Sequence, residues 1–192
     1  MIRPVDSSEI KDIAAYEVER ETWRPQMIAH KDRRRAHLGP HLTFLFEDHD
    51  TVRYQIQEMM RIERIVRPAG IRHELDTYNE LIPAPGELSS TLLIEYASGE
   101  ERDCALRRLL GLERHIHLRV GALLPVTARF DTRQISTDRL SAVQYVKFRL
   151  PEEHRRQWSR ASGVALVCDH PHYQCEEPLP PALIDELAGD LR

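Results

Sequence analysis

The sequence predicts an α+β fold, with N-terminal helices packed on a mainly antiparallel sheet of about five to six strands. Three observations carry this. Helical periodicity dominates residues 7–82, short runs of β-formers dominate residues 88–192, and the two do not alternate as a βαβ series would require. Pro83-Ala84-Pro85-Gly86 marks the change. The early run His41–Glu47 belongs with the later strands, so the expected organisation is one α+β domain over residues 1–192.

The elements follow in chain order. Ser7 or Ser8 can cap a helix with Glu9 in its first turn, where the helix dipole favours an acid. That helix is expected to run from Glu9 to Arg35, with a kink or break at Pro25. Gly39-Pro40 stops it. His41–Glu47 (HLTFLFE) reads as a strand. Asp50 is placed to cap a helix over Val52–Val66. Pro68-Ala69-Gly70 separates this from a helix over Ile71–Ile82 with Ile71, Leu75, Tyr78 and Ile82 on one face. Beyond Gly86 the pattern predicts a strand at Ser90–Tyr96 and a helix at Glu100–Leu110. An antiparallel pair follows at His115–Val120 and Val126–Phe130. A half-buried strand at Ala142–Leu150, a helix at Glu152–Arg160, a strand at Gly163–Cys168 and a terminal helix at Leu183–Leu191 complete the order.

Composition narrows the function classes. A net charge of −4 argues against a general nucleic-acid binder, which is usually basic. The cysteines are Cys104, Cys168 and Cys175, an odd number without a C-x-x-C pair, so a reducing cytoplasm is the expected compartment. No apolar leader is visible at the N-terminus, and no run has the length of a membrane span. Phosphate-loop, dinucleotide, nucleophile-elbow and H-E-x-x-H signatures do not occur.

Some residues nonetheless suggest chemistry. In Asp50–Val66 (DTVRYQIQEMMRIERIV), Val52, Ile56, Met59, Met60, Ile62 and Val66 gather on one side of a helical wheel. Glu63 falls among them, with Gln55 near the edge. A buried carboxylate must be paired, protonated or metal-bound. Glu74, one turn before Tyr78, can meet Glu63 if the two helices touch, which makes Gln55, Glu63 and Glu74 a candidate buried polar site. The plainer alternative is an ion pair with one of the many arginines. His115-x-His117 and His170-x-His172 are two imidazole pairs, and short pairs of this kind also arise on ordinary strand faces and turns. Glu47, Glu63, His170 and His172 are the candidate metal ligands, for iron or zinc. Arg33, Arg34 and Arg35 are candidates for binding an anion or an acidic partner. As cations at a helix C-terminus they also suit the dipole without any further role.

Two blocks carry a resemblance. Gly39–Ile65 (GPHLTFLFEDHDTVRYQIQEMMRIERI) and His73–Ser89 (HELDTYNELIPAPGELS), with the preceding basic run and the later DHPHY, resemble the bacterial family called domain of unknown function 3501. The resemblance covers nearly the whole chain and carries no catalytic residue. Genes of that family often lie beside genes for rubrerythrin-like proteins and iron–sulfur oxidoreductases. It therefore implies an accessory protein in iron, peroxide or redox metabolism, with a rubrerythrin-like or iron–sulfur protein as partner. A metal-dependent enzyme or iron-binding protein is the alternative, and an anion- or nucleic-acid-binding regulator a weaker one.

Overall fold

The computed structural model describes residues 3–160 and 163–191. The fold is α+β, and its strands divide between two antiparallel sheets. One has five strands in the order β1 (Arg35–Leu38), β2 (Leu42–Phe46), β3 (Glu87–Ile94), β7 (Val143–Arg149) and β6 (Arg129–Phe130). The other has four, in the order β5 (Val126–Thr127), β4 (Ile116–Val120), β8 (Val164–His170) and β9 (Tyr173–Pro178). The segment Val126–Phe130 links them: β5 pairs with β4, and β6, two residues on, pairs with β7.

Alternation along the strands builds the main core. Leu42, Phe44 and Phe46 of β2 meet Leu88, Leu92 and Ile94 of β3, Val146 and Phe148 of β7, and Ile116, Leu118 and Leu166 from the second sheet. Full burial of such a side chain contributes roughly 1.5–3 kcal/mol. Two helices add to this cluster: α4 (Gly99–Arg108) through Leu106, and α6 (Pro181–Leu187) through Leu183 and Leu187. Trp158, at the end of α5 (Glu152–Gln157), is buried and donates its indole N–H to the Ile184 carbonyl at 2.8 Å.

The other face of the five-stranded sheet is covered by helices. α2 (His49–Glu63) contributes Val52, Ile56 and Met60, spaced i, i+4, i+8, and α3 (Pro68–Asn79) contributes Leu75. Together with Val5, Leu81 and Ile82 they form a second cluster, against which Tyr145 of β7 packs. α1 (Ile13–Arg33) joins α2 through aromatic and charged groups instead. Trp23 makes edge contacts with Tyr16 and Tyr54, and the Tyr16 hydroxyl donates to Glu58 at 2.6 Å.

Several expectations change in detail. α1 stops at Arg33 rather than Arg35, because Arg35 opens β1, whose Ala36 and Leu38 point into the core. Pro25 stays inside α1 without ending it. Asp48, not Asp50, caps α2: its carboxylate accepts the Thr51 N–H at 2.9 Å while Thr51 Oγ1 accepts the Asp48 N–H at 2.9 Å. α2 ends at Glu63, where Arg64 takes a left-handed conformation (φ 53°). β9 was not expected; the DHPHY run forms a tight turn that returns the chain as a strand. Among the described residues no helix is long and apolar enough to cross a membrane.

Candidate functional site

The layer between α2–α3 and the sheet is not uniformly apolar. Glu47, just beyond β2, is buried there and accepts hydrogen bonds from Thr51 at 2.5 Å and Thr91 at 2.6 Å, one to each carboxylate oxygen. Burial raises the Tyr145 phenol above its ordinary pKa, with further contributions from Tyr78, Glu47 and Asp131. Tyr78 is raised by burial as well, opposed by a hydrogen bond from Gln55 and reinforced by the charges of Glu74 and Glu63. Both phenols are therefore held protonated.

This polar seam leads into a groove of about 820 Å³ at the β6 edge of the sheet, lined by Tyr78, Phe130, Arg133, Tyr145 and Lys147 among others. Glu87 is buried beside it. Its carboxylate is met by Arg129 at 3.1 Å and by Lys147 at 3.1 Å. Arg133 reaches Asp131 at 2.9 Å and also pairs with Glu80. The exposures are unequal. The side chains of Arg129 and Arg133 are 67% and 68% exposed, whereas those of Glu87 and Asp131 are 4% and 20% exposed. The guanidinia lie outermost, with Glu87 and Asp131 set beneath them and Glu80, 54% exposed, beside Arg133.

Gln55, Glu63 and Glu74 do surround Tyr78, but not as a buried acid pair. Glu63 is exposed, as are Ile62 and Val66. The wheel places Glu63 among the apolar residues, yet it is the last residue of α2, beyond the buried ridge that ends at Met60.

The metal candidates do not form one site either. Both oxygens of Glu47 are occupied by threonines. His170 is buried with Nε2 on the Leu110 carbonyl at 3.2 Å and Nδ1 accepting the His172 N–H at 3.2 Å, so it is a neutral imidazole with no free nitrogen. His172 is exposed in the turn, and Glu63 lies on another layer of the fold. Among the described residues no three His, Cys, Asp or Glu side chains converge to hold a metal ion. This donor set does not fit iron or zinc. His115 and His117 share one carboxylate oxygen of Asp169, at 2.7 and 3.4 Å.

The basic run divides. Arg34 is 1% exposed: it donates from Nε to the Phe46 carbonyl at 2.9 Å, lies 3.5 Å from Asp48 and 3.5 Å from Glu186, and pairs with Asp190. It is an internal hub tying α1 to α2 and the C-terminal segment, which corrects its assignment as an anion-binding residue. Arg33 and Arg35 are exposed, with Glu186 at 3.7 Å and Asp32 at 3.4 Å respectively. They make no continuous basic face with Arg34.

Tyr145, Lys147, Arg129 and Arg133 were not singled out from the sequence. The available signal was the outward set Tyr145, Lys147, Arg149 on β7: a central strand with polar residues on both a covered face and its rim.

No curated protein matches the sequence. The chain is similar to a protein from Burkholderia pseudomallei K96243, described as a novel protein of unknown function and known from a 1.90 Å crystal structure. The two are 36% identical with a TM-score of 0.93, over 99% of this chain and 100% of that one. The family model described as protein of unknown function (DUF3501) matches residues 4–191, and the chain belongs to that family.

Proposed function

We propose that this is a cytoplasmic accessory protein that binds a protein partner, and that the groove beside β6 receives an acidic segment of it. One observation carries the reading: the Arg129 and Arg133 guanidinia are more exposed than the acids they pair with (buried Glu87, half-buried Asp131 and Glu80 at 54%), so positive charge lies outermost on the rim in a chain of net charge −4. Tyr78, Tyr145 and Phe130 supply the aromatic surface that anchors an interface. The candidate acids and imidazoles, by contrast, are satisfied internally or dispersed, which favours binding over catalysis by those residues. The family resemblance directs the choice of partner to rubrerythrin-like and iron–sulfur proteins.

Calorimetric titration of the full chain with a rubrerythrin-like protein of the same genome tests this. Binding is expected to weaken with salt, and Arg133→Glu is expected to weaken it about tenfold or more, roughly 1.4 kcal/mol, while the chain stays folded by circular dichroism at the titration temperature. No binding by the unmodified chain, or equal binding by Arg133→Glu, overturns the reading.

A further inference from the structure

Cys168 and Cys175 are direct cross-strand partners in the register of β8 and β9. Asp169 directs its N–H to the His115 carbonyl of β4, so the polar backbone of Cys168, one residue earlier, faces β9. Directly opposed residues of such a pair have Cα atoms about 5.5 Å apart with side chains on one face, within the range a disulfide spans. Cys168 is buried in the inter-sheet core, and Cys175 is half-buried and packed on the same cluster. Both are free thiols, and Cys104 sits exposed on α4.

We propose that Cys168 and Cys175 are a reversible redox-modification site that closes to an intramolecular disulfide on reaction with a low-molecular-weight disulfide. Cys175 reacts first because it is the more accessible. Its thiolate attacks one sulfur of the small disulfide; the S–S bond breaks, a mixed disulfide forms on Cys175, and a small thiolate leaves and takes up the proton that Cys175 lost. The Cys168 thiolate then attacks Cys175 Sγ, forming the protein disulfide and expelling the second small thiolate, which takes the Cys168 proton. Two protein thiols are oxidised and one small disulfide is reduced to two thiols.

The surroundings set the character of the site. Burial holds the Cys168 thiol up to about 11 and raises Cys175 too, so exchange is slow at neutral pH and accelerates with alkalinity. Bridging opposed residues across a hydrogen-bonded position bends the local backbone, and strained bridges are the readily reduced ones. Cys175 also borders the first hairpin. A Cβ on Gly39 would lie 3.1 Å from its sulfur, and the neighbouring Tyr173 hydroxyl donates to the Leu38 carbonyl at 2.6 Å. Oxidation therefore acts where β9 meets β1.

Equilibration of the full chain with mixtures of oxidised and reduced glutathione, followed by acid quench, alkylation and peptide mass spectrometry, tests the site. The expected product is a peptide linked through Cys168 and Cys175 with loss of two hydrogens, its fraction rising with the oxidised share and reversing on reduction. Cys168→Ser is expected to trap glutathione on Cys175, and Cys175→Ser to leave Cys168 as a thiol. Oxidation that stops at the mixed disulfide in the unmodified chain, bridging through Cys104 instead, or unreactive thiols at alkaline pH overturns the proposal.

Discussion

Arg34 is the residue on which most separate parts of the molecule converge. Burial alone would lower its pKa; Asp190, Asp48 and Glu186 outweigh that and hold the guanidinium charged. Its Nε and terminal nitrogens also satisfy the Phe46 and Glu47 carbonyls at the end of β2. Removing the charge leaves Asp190 without its counter-ion inside the protein and leaves Asp48 with His30 alone. Arg34→Met is therefore expected to cost about 3–5 kcal/mol in urea unfolding. Arg34→Lys is expected to lose less, since it keeps the charge but not the planar set of donors. Glu63→Gln, at an exposed position, serves as the comparison and is expected to stay within about 0.5 kcal/mol. A loss under 1 kcal/mol for Arg34→Met would show that the hub does not hold the elements together.

At the scale of elements, the strands most legible in the sequence were those with one strongly apolar face. Ala142–Leu150 and His115–Val120 announced β7 and β4 because Val146 and Leu118 alternate with more polar neighbours, and His41–Glu47 announced β2 as a short run of β-formers ended by Asp48. β1 was hidden because Arg35-Ala36-His37-Leu38 follows a helix and looks like its basic end; only the sheet partner Leu42–Leu45 makes it a strand. β9 was hidden because Tyr173–Pro178 has no apolar stripe, and its pairing with β8 supplies what its composition lacks. The candidate site was less legible than the fold. A helical wheel gives Glu63 an angle but not a depth, since it carries no information on where the covering layer ends, and Glu63 is exposed. The groove residues come from α3, β6 and β7, which are brought together by tertiary pairing rather than by spacing. The end of α2 allows a direct test. Arg64 holds a left-handed backbone that L side chains adopt at a cost of roughly 1 kcal/mol, and its N–H caps the Met60 carbonyl. Arg64→Gly is expected to stabilise the protein by about 0.5–1 kcal/mol in chemical denaturation. Destabilisation would mean that the Arg64 side chain contributes more than its backbone strain costs.

At the scale of the whole molecule, α1 and the N-terminal segment are held to the rest by apolar and aromatic contacts together with ion pairs, and the ion pairs give them a pH dependence. The Glu9 carboxylate lies at about 2, pulled down first by its hydrogen bond to Arg3 and then by the Asp6 N–H and His49. Asp48 is pushed up by burial but is drawn well below the usual carboxylate range by the His30 hydrogen bond, the Arg34 charge and the Thr51 N–H. In the unfolded chain such groups titrate near 3.9–4.3, roughly. A carboxylate whose folded pKa is depressed contributes stability that is fully present above its unfolded value, because the unfolded state then has no proton advantage. That contribution falls as pH drops through about 4 toward 2, where the unfolded chain takes up protons the folded one refuses. The melting temperature is thus expected to be level near pH 6 and to fall steeply between about pH 4.5 and 2. Asp48→Asn keeps an oxygen able to cap α2 but removes the titrating charge. Its melting temperature is expected to be lower than that of the unmodified chain at pH 6, with the gap narrowing steadily as pH falls below about 4, so that the acid limb is shallower. An equal offset at every pH would mean that Asp48 acts only as a helix cap. In that event the charge network joining α1, α2 and the C-terminal segment would not be the element that acid dissolves first.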